Sequence, residues 1–124
     1  MKFLNRKTGH LAENLAAKEL TRKGYRILER NFGNKWGEID IIAKDQEAKT
    51  LVFVEVKCKV GEKFGAPEEM ISPGKLRRVR NMANIYMNQS SVPACRQAGR
   101  IDVVAVVLKP NNSLERLTHY ENVY

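Results

Sequence analysis

The apolar residues of this chain change period along its length, and each change marks an element. Residues 9–23 carry Leu11, Ala12, Leu15, Ala16 and Leu20 at three- and four-residue spacing, the stripe of an amphipathic helix. Thr8 stands where an N-cap belongs, and Arg22, Lys23 and Gly24 suit a last turn and a left-handed cap. Residues 25–32 read as a first strand anchored by Tyr25, Ile27 and Leu28, followed by a turn through Gly33 and Asn34. Residues 37–43 and 51–57 then alternate. A period of two puts Ile39, Ile41 and Ala43 on one face of the first run, and Val52, Val54 and Val56 on one face of the second. The polar residues 44–50 form the hairpin turn. Bringing the two apolar faces together sets the register: Ile41 opposite Val54, Ile42 opposite Phe53 and Ala43 opposite Val52.

Ser72-Pro73 is a strong helix start, with serine as N-cap and proline at the first helical position. That helix is expected to run to about residue 88. Leu76, Val79, Ala83 and Tyr86 form its apolar face, flanked by Met82 and Met87. Residues 59–71, with Gly61, Gly65 and Pro67, are irregular and read equally well as a substrate clamp or a connector. Residues 89–98 are a loop. Residues 100–108 are almost continuously apolar, the signature of a central strand covered on both faces. The intervening helix makes this strand a parallel neighbour of the hairpin, through a right-handed crossover. Residues 109–113 are a turn, and residues 114–124 a short edge strand and tail. The expected fold is α/β: a mixed sheet flanked by helices, in the order α-β-β-β-α-β with a last edge strand. With 124 residues, a single domain over 1–124 is expected. No apolar run approaches a membrane span, and the start lacks a secretory core. A cytoplasmic protein with no membrane partner is therefore expected.

The hairpin carries charges that packing does not explain. In its register Asp40 faces Glu55 and Glu38 faces Lys57. Like charges directly opposite destabilise a sheet, and two carboxylates sharing a site resist joint ionisation. A divalent cation resolves the conflict, and Lys57, two residues after Glu55, stands beside the same position. A solvated, salt-paired surface is the alternative, although Ile42 and Phe53 share that face. Glu13 lies at the margin of the first helix's apolar stripe and can reach a neighbouring site or remain an exposed carboxylate.

The net charge of +8 suggests a polyanionic partner, most simply nucleic acid. Lys75, Arg77, Arg78 and Arg80 load the first turns of the second helix against its macrodipole. Contacts to phosphates account for them, with a solvated basic face as the alternative. Aromatic residues at 7% argue against a stacking platform for single strands. Cys58 and Cys95 complete no zinc pattern and read as reduced bystanders. Trp36, the sole tryptophan, is expected to pack at the edge of the core, with a contact to DNA as the lesser alternative. Asp102 is expected to pair with Arg100 or a helix lysine, and His119 to lie on the surface, with a general base as the lesser alternative by residue type alone.

Asp40, Glu55-Val56-Lys57 and the preceding helix with Glu13 resemble the PD-(D/E)xK nuclease superfamily. The set Gly9-x3-Glu13, Gly24-Tyr25, Asn31, Gly37-Glu38-Ile39-Asp40, Phe53-Val54-Glu55-Val56-Lys57, Phe64-Gly65 and Lys75 is similar, more closely, to the bacterial YraN-type family. That is a family of predicted endonucleases related to archaeal Holliday-junction resolvases. The similarity covers almost the whole chain; the superfamily's proline before the aspartate is Ile39 here. The resemblance implies a restriction-endonuclease-like fold and metal-dependent hydrolysis of DNA, with branched or structured DNA among the candidate substrates. It implies Mg²⁺ or Mn²⁺ held by Asp40, Glu55 and the Val56 carbonyl, with Glu13 joining directly or through water and Glu38 a weaker candidate. Lys57 would orient the attacking water, and Lys75, Arg77, Arg78 and Arg80 would hold the phosphate backbone. A non-catalytic nucleic-acid-binding module that keeps the nuclease fold is the rival reading, and a protein–protein adaptor a third. A homodimer would suit paired cuts.

Overall fold

The computed structural model describes residues 6–61, 71–89 and 99–124. The elements are α1 (Arg6–Arg22), β1 (Tyr25–Asn34), β2 (Gly37–Asp45), β3 (Thr50–Val60), α2 (Pro73–Met87), β4 (Gly99–Leu108) and β5 (Leu114–Tyr120). They build one five-stranded sheet in the order β1-β2-β3-β4-β5. β3 and β4 run parallel and every other pair antiparallel, because the segment holding α2 supplies the crossover that parallel neighbours need. This is the mixed, helix-flanked α/β sheet that the sequence pattern predicts, with the last edge strand present. No described helix is long and apolar enough to cross a membrane.

Each face of the sheet buries its own core. Ala12, Ala16 and Leu20 recur every fourth residue along α1, and the two alanines let the helix approach Ile41, Ala43, Val52, Val54, Val104 and Val106. On the other face Val79, Met82, Ala83 and Tyr86 of α2 cover Ile39, Ile42, Leu51, Phe53 and Ile101. Tyr86 meets Phe32 and Phe53 edge to face, at 5.2 and 6.0 Å between ring centres. β4 is buried along Ile101–Leu108, as expected of a strand covered on both faces.

The hairpin register is the expected one, running from Asp45–Thr50 through Ile42–Phe53 to Ile41–Val54. Ile39 is a correction. Alternation groups it with Ile41 and Ala43, yet it packs under α2 with Ile42. The regular pattern breaks opposite Asp40: Asn31 takes a left-handed φ of 55°, and β1–β2 pairing resumes at Phe32–Ile39. The break turns Phe32 and Ile39 together onto the α2 face. Thr8 is a second correction: α1 already starts at Arg6, so Thr8 is buried inside the helix instead of capping it. β3 also runs to Val60, beyond the expected start of the irregular stretch. Gly24 does take the left-handed conformation that ends α1, with φ 96°. Phe64-Gly65 and Cys95 lie outside the described residues, as does most of the clamp or connector.

Candidate functional site

The β2–β3 ladder opens just past the Ile41–Val54 pair, and the candidate site lies there. The Val56 N–H donates to Asp40 Oδ2 at 2.7 Å, so a side chain takes the place of a ladder acceptor and the carboxylate stays beside β3. Burial, then the charge of Glu55, then those of Glu13 and Glu38 push the Asp40 carboxyl up to about 7, against the pull of the Val56 N–H. Glu55 is itself buried. It shares the α2 side of β3 with Phe53 and Lys57, and two lysines meet at one of its oxygens. Lys75 Nζ lies 3.2 Å from Glu55 Oε2 and Lys57 Nζ 3.5 Å from it. Ser72 fixes the reach of Lys75: its Oγ accepts the Lys75 N–H at 3.1 Å, capping the first turn of α2 over the end of the hairpin.

Glu13 is largely buried on α1, with Arg30 of β1 3.5 Å away. Its Oε1 is buried and has no hydrogen-bond partner among the described residues. Among those residues no three His, Cys, Asp or Glu side chains gather closely enough to hold a metal, so Glu13 reaches Asp40 through its field. The pair Asp40 and Glu55 does fit a hard divalent cation, because Mg²⁺ binds through one or two carboxylates and completes its shell with water and phosphate. Glu13 Oε1 makes no hydrogen bond but pairs with Arg30. Glu38 is exposed.

The basic cluster divides. Arg77 and Arg78 are exposed, and their guanidinium ends lie near Gly74 at the start of α2, within 3.7 and 3.9 Å of where a side chain there would begin. With Lys75, which reaches Glu55, they make the start of α2 positive. Arg80 leaves it and stacks on Tyr124, 5.1 Å from the ring centre. Trp36 is a correction: it is 70% exposed and does not line the core. Gly37 packs the β1–β2 turn against α2, where a Cβ would meet Met82 at 3.3 Å, and leaves the indole outside. Cys58 is a free, buried thiol whose pKa burial raises, as suits a bystander.

A second polar cluster lies on the α1 side of β4. Asp102, fully buried, accepts from Arg100 Nε at 3.0 Å, from His119 Nε2 at 2.7 Å and from the Asn122 N–H at 2.9 Å. Arg100 also reaches Asp45 and the Tyr25 hydroxyl. His119 Nδ1 faces Lys23 Nζ at 2.6 Å. The expected Arg100–Asp102 pair is present. The expectation of a surface His119 is not met: its side chain is 4% exposed, because β5 tucks it against Asp102 and the Tyr25 ring. The one sequence signal for this cluster was an Arg and an Asp two apart in an otherwise apolar run.

The raised Asp40 carboxyl has a consequence for stability. An unfolded Asp ionises near its ordinary 3.8 and this one near 7. The native state therefore holds the extra proton between those values, and stability falls as pH rises through that window. In chelator, Asp40→Asn is expected to be neutral near about pH 4 and stabilising by ~2–4 kcal/mol near about pH 8. Urea unfolding at the two pH values checks this, and an equal effect at both contradicts it.

Residues 12–106 match the uncharacterised protein family UPF0102. A UPF0102 protein of Syntrophus aciditrophicus is 43% identical over 106 residues, covering 86% of this chain and 80% of that one. Relatives from Syntrophomonas wolfei and Caldanaerobacter subterraneus are 36% and 39% identical, covering 98% and 100% of this chain and the whole of their own length. The match spans both carboxylates, both lysines and the stretch of α1 with Glu13, and so the chain belongs to the UPF0102 family, the YraN-type family that its motifs resemble.

Proposed function

We propose that this protein is a metal-dependent endonuclease that hydrolyses DNA phosphodiester bonds. One observation carries the reading: Asp40 is held near the charge of Glu55 at a cost to its own ionisation, at the open end of the β2–β3 ladder, with Lys57 and Lys75 on Glu55. A fold gains nothing from crowding two carboxylates, whereas a phosphoryl-transfer site needs that arrangement. Asp40, Glu55 and the Val56 carbonyl would hold Mg²⁺ or Mn²⁺, with Glu13 completing the shell directly or through water. Bound there, the cation supplies positive charge at the phosphoryl oxygens and acidity for a water. Lys57 holds the attacking water and offsets charge that develops on the phosphate. Lys75, Arg77 and Arg78 grip the backbone without reading sequence. Arg80, stacked on Tyr124, adds to the same basic helix farther along.

One observation favours the rival reading, a nucleic-acid-binding module without catalysis: the described carboxylates do not gather in threes. The two readings separate on a panel of end-labelled duplex, single-stranded, flap and four-way-junction DNAs incubated with Mg²⁺ or Mn²⁺. The nuclease reading expects metal-dependent cutting of at least one member. No cutting, together with no Mg²⁺ or Mn²⁺ binding by calorimetry, would leave the binding module. In that case an Asp40→Ala, Glu55→Ala double variant should bind DNA as tightly as wild type, or more tightly.

A further inference from the structure

We propose that Trp36 is a stacking point for one unpaired base of the DNA strand entering the Asp40–Glu55 site, so that the preferred substrates are DNAs in which paired and unpaired segments meet. The inference rests on the nucleic-acid reading of that site. Trp36 is 70% exposed, the most exposed of the large apolar side chains among the described residues. A single exposed apolar side chain is ordinary by itself; here the indole is also held on a rigid support with a cation over it. The support is rigid for three reasons. Asn34 Oδ1 accepts the Trp36 N–H at 2.7 Å. Gly33 closes so tightly on the Gly37 carbonyl that no Cβ fits between them, and Gly37 is seated on Met82 of α2.

Charge around the ring selects the partner. Lys35 Nζ stands 5.1 Å from the centre of the indole. The same turn abuts the stem of Arg78, whose Cβ lies 3.9 Å from where a Gly37 side chain would begin and whose guanidinium reaches toward Gly74 at the start of α2. A flat apolar ring with a cation over one face suits a base with its phosphate: the base stacks on the ring, and the phosphate meets Lys35. An apolar protein surface offers no anion to Lys35. Both faces of a paired base inside a duplex are already stacked, so the ring takes an unpaired base in a single-stranded extension, a gap, a flap or a junction. Asp40 lies four residues along extended β2 from Trp36, about 13 Å at ~3.3 Å per residue. A distance of that size places the unpaired base within a few nucleotides of the reacting phosphate. A single ring makes one fixed stop on the strand, which agrees with the scarcity of aromatic residues.

The test uses the full chain in chelator, where no cutting occurs. Its single tryptophan makes intrinsic fluorescence a direct reporter of this ring. A blunt duplex of about 20 base pairs is compared with the same duplex carrying a short single-stranded extension, both end-labelled so that anisotropy reports binding independently. The expected result is binding of both, with indole emission quenched by the extended DNA alone. Trp36→Ala should weaken the extended DNA by about 5- to 150-fold and the blunt duplex by less than about 2-fold, and Trp36→Phe should recover part of the loss. Binding of both DNAs without selective quenching, or equal losses on both, overturns this inference and leaves the nucleic-acid reading standing. No binding of either DNA overturns both. An emission shift that depends on protein concentration without DNA, and a dimer lost in Trp36→Ala, would assign the ring to a contact between copies of this chain instead.

Discussion

Lys57→Ala is expected to lower metal-dependent DNA cleavage by about 10²- to 10⁴-fold while leaving the fold and the metal affinity in place. The geometry separates these effects. Lys57 is one of two lysines on Glu55 Oε2, and Lys75 is the nearer, at 3.2 against 3.5 Å. Removing Lys57 leaves Glu55 paired, so no buried charge is stranded, and a stability change within about 0.5 kcal/mol is expected. With one cation fewer beside the carboxylates, Mg²⁺ should bind as well or better. Lys57→Arg should not restore the rate, because a planar fork cannot replace a compact ammonium at the same point. Glu55→Gln is the complement: it should lose both cleavage and Mg²⁺ binding, yet hold DNA more tightly in chelator, since it removes a negative charge near the phosphates. Cleavage by Lys57→Ala within about threefold of wild type would remove Lys57 from the chemistry. Rates measured under single-turnover conditions on the most readily cut DNA of the panel, with calorimetry of Mg²⁺ binding, decide between these outcomes.

What the sequence discloses about this site, and what it hides, follows from the range of each signal. The β2–β3 register is legible because a slip of one residue would turn every apolar side chain outward, and the pairing of Ile41 with Val54 is the observed one. Asp40 and Glu55 come together as a consequence of that register. Ile39 is misplaced because the break opposite Asp40 depends on the left-handed Asn31 on a neighbouring strand, and alternation along one strand does not register it. The Ser72 cap and the apolar face of α2 are local and readable. The meeting of Lys75 with Glu55 depends on how the βαβ unit packs, which no periodicity encodes; only the family resemblance singled that lysine out. Trp36 and His119 are misjudged in opposite directions for one reason. Residue type sets an average burial, while a turn seated on Gly37 leaves the indole outside and an edge strand over Asp102 draws the imidazole inside. The division of the arginines, with Arg80 turned to Tyr124, likewise depends on the C-terminal tail.

Asp102→Ala should be among the most destabilising single changes in the described fold, at about 3–5 kcal/mol. Burial works against the charge on Asp102, but bonds from His119, Arg100 and the Asn122 N–H outweigh it and hold the carboxyl below its ordinary value. Truncation removes all these acceptor contacts at once. It leaves Arg100 with Asp45 and Tyr25, leaves His119 facing Lys23 alone, and orphans the Asn122 N–H. For a chain of this size the loss corresponds to a fall in Tm of about 12–20 °C. Asp102→Asn keeps the shape and some of the bonding and should cost less. The pH dependence has a definite sign. A carboxyl whose folded pKa is depressed contributes stability above its unfolded value and loses it as pH falls through the folded one. The difference between wild type and Asp102→Ala should therefore be full at neutral pH and shrink below about pH 4, the reverse of the Asp40→Asn profile. The cluster matters to the site because Asp102 pairs in register with Val54 and Val103 with Glu55. The strand that presents Glu55 to α2 is thus braced from behind by the network on the α1 face. Thermal melts of the two variants at neutral and acid pH check this, and a loss below about 1 kcal/mol at neutral pH would show that the network is replaceable by water.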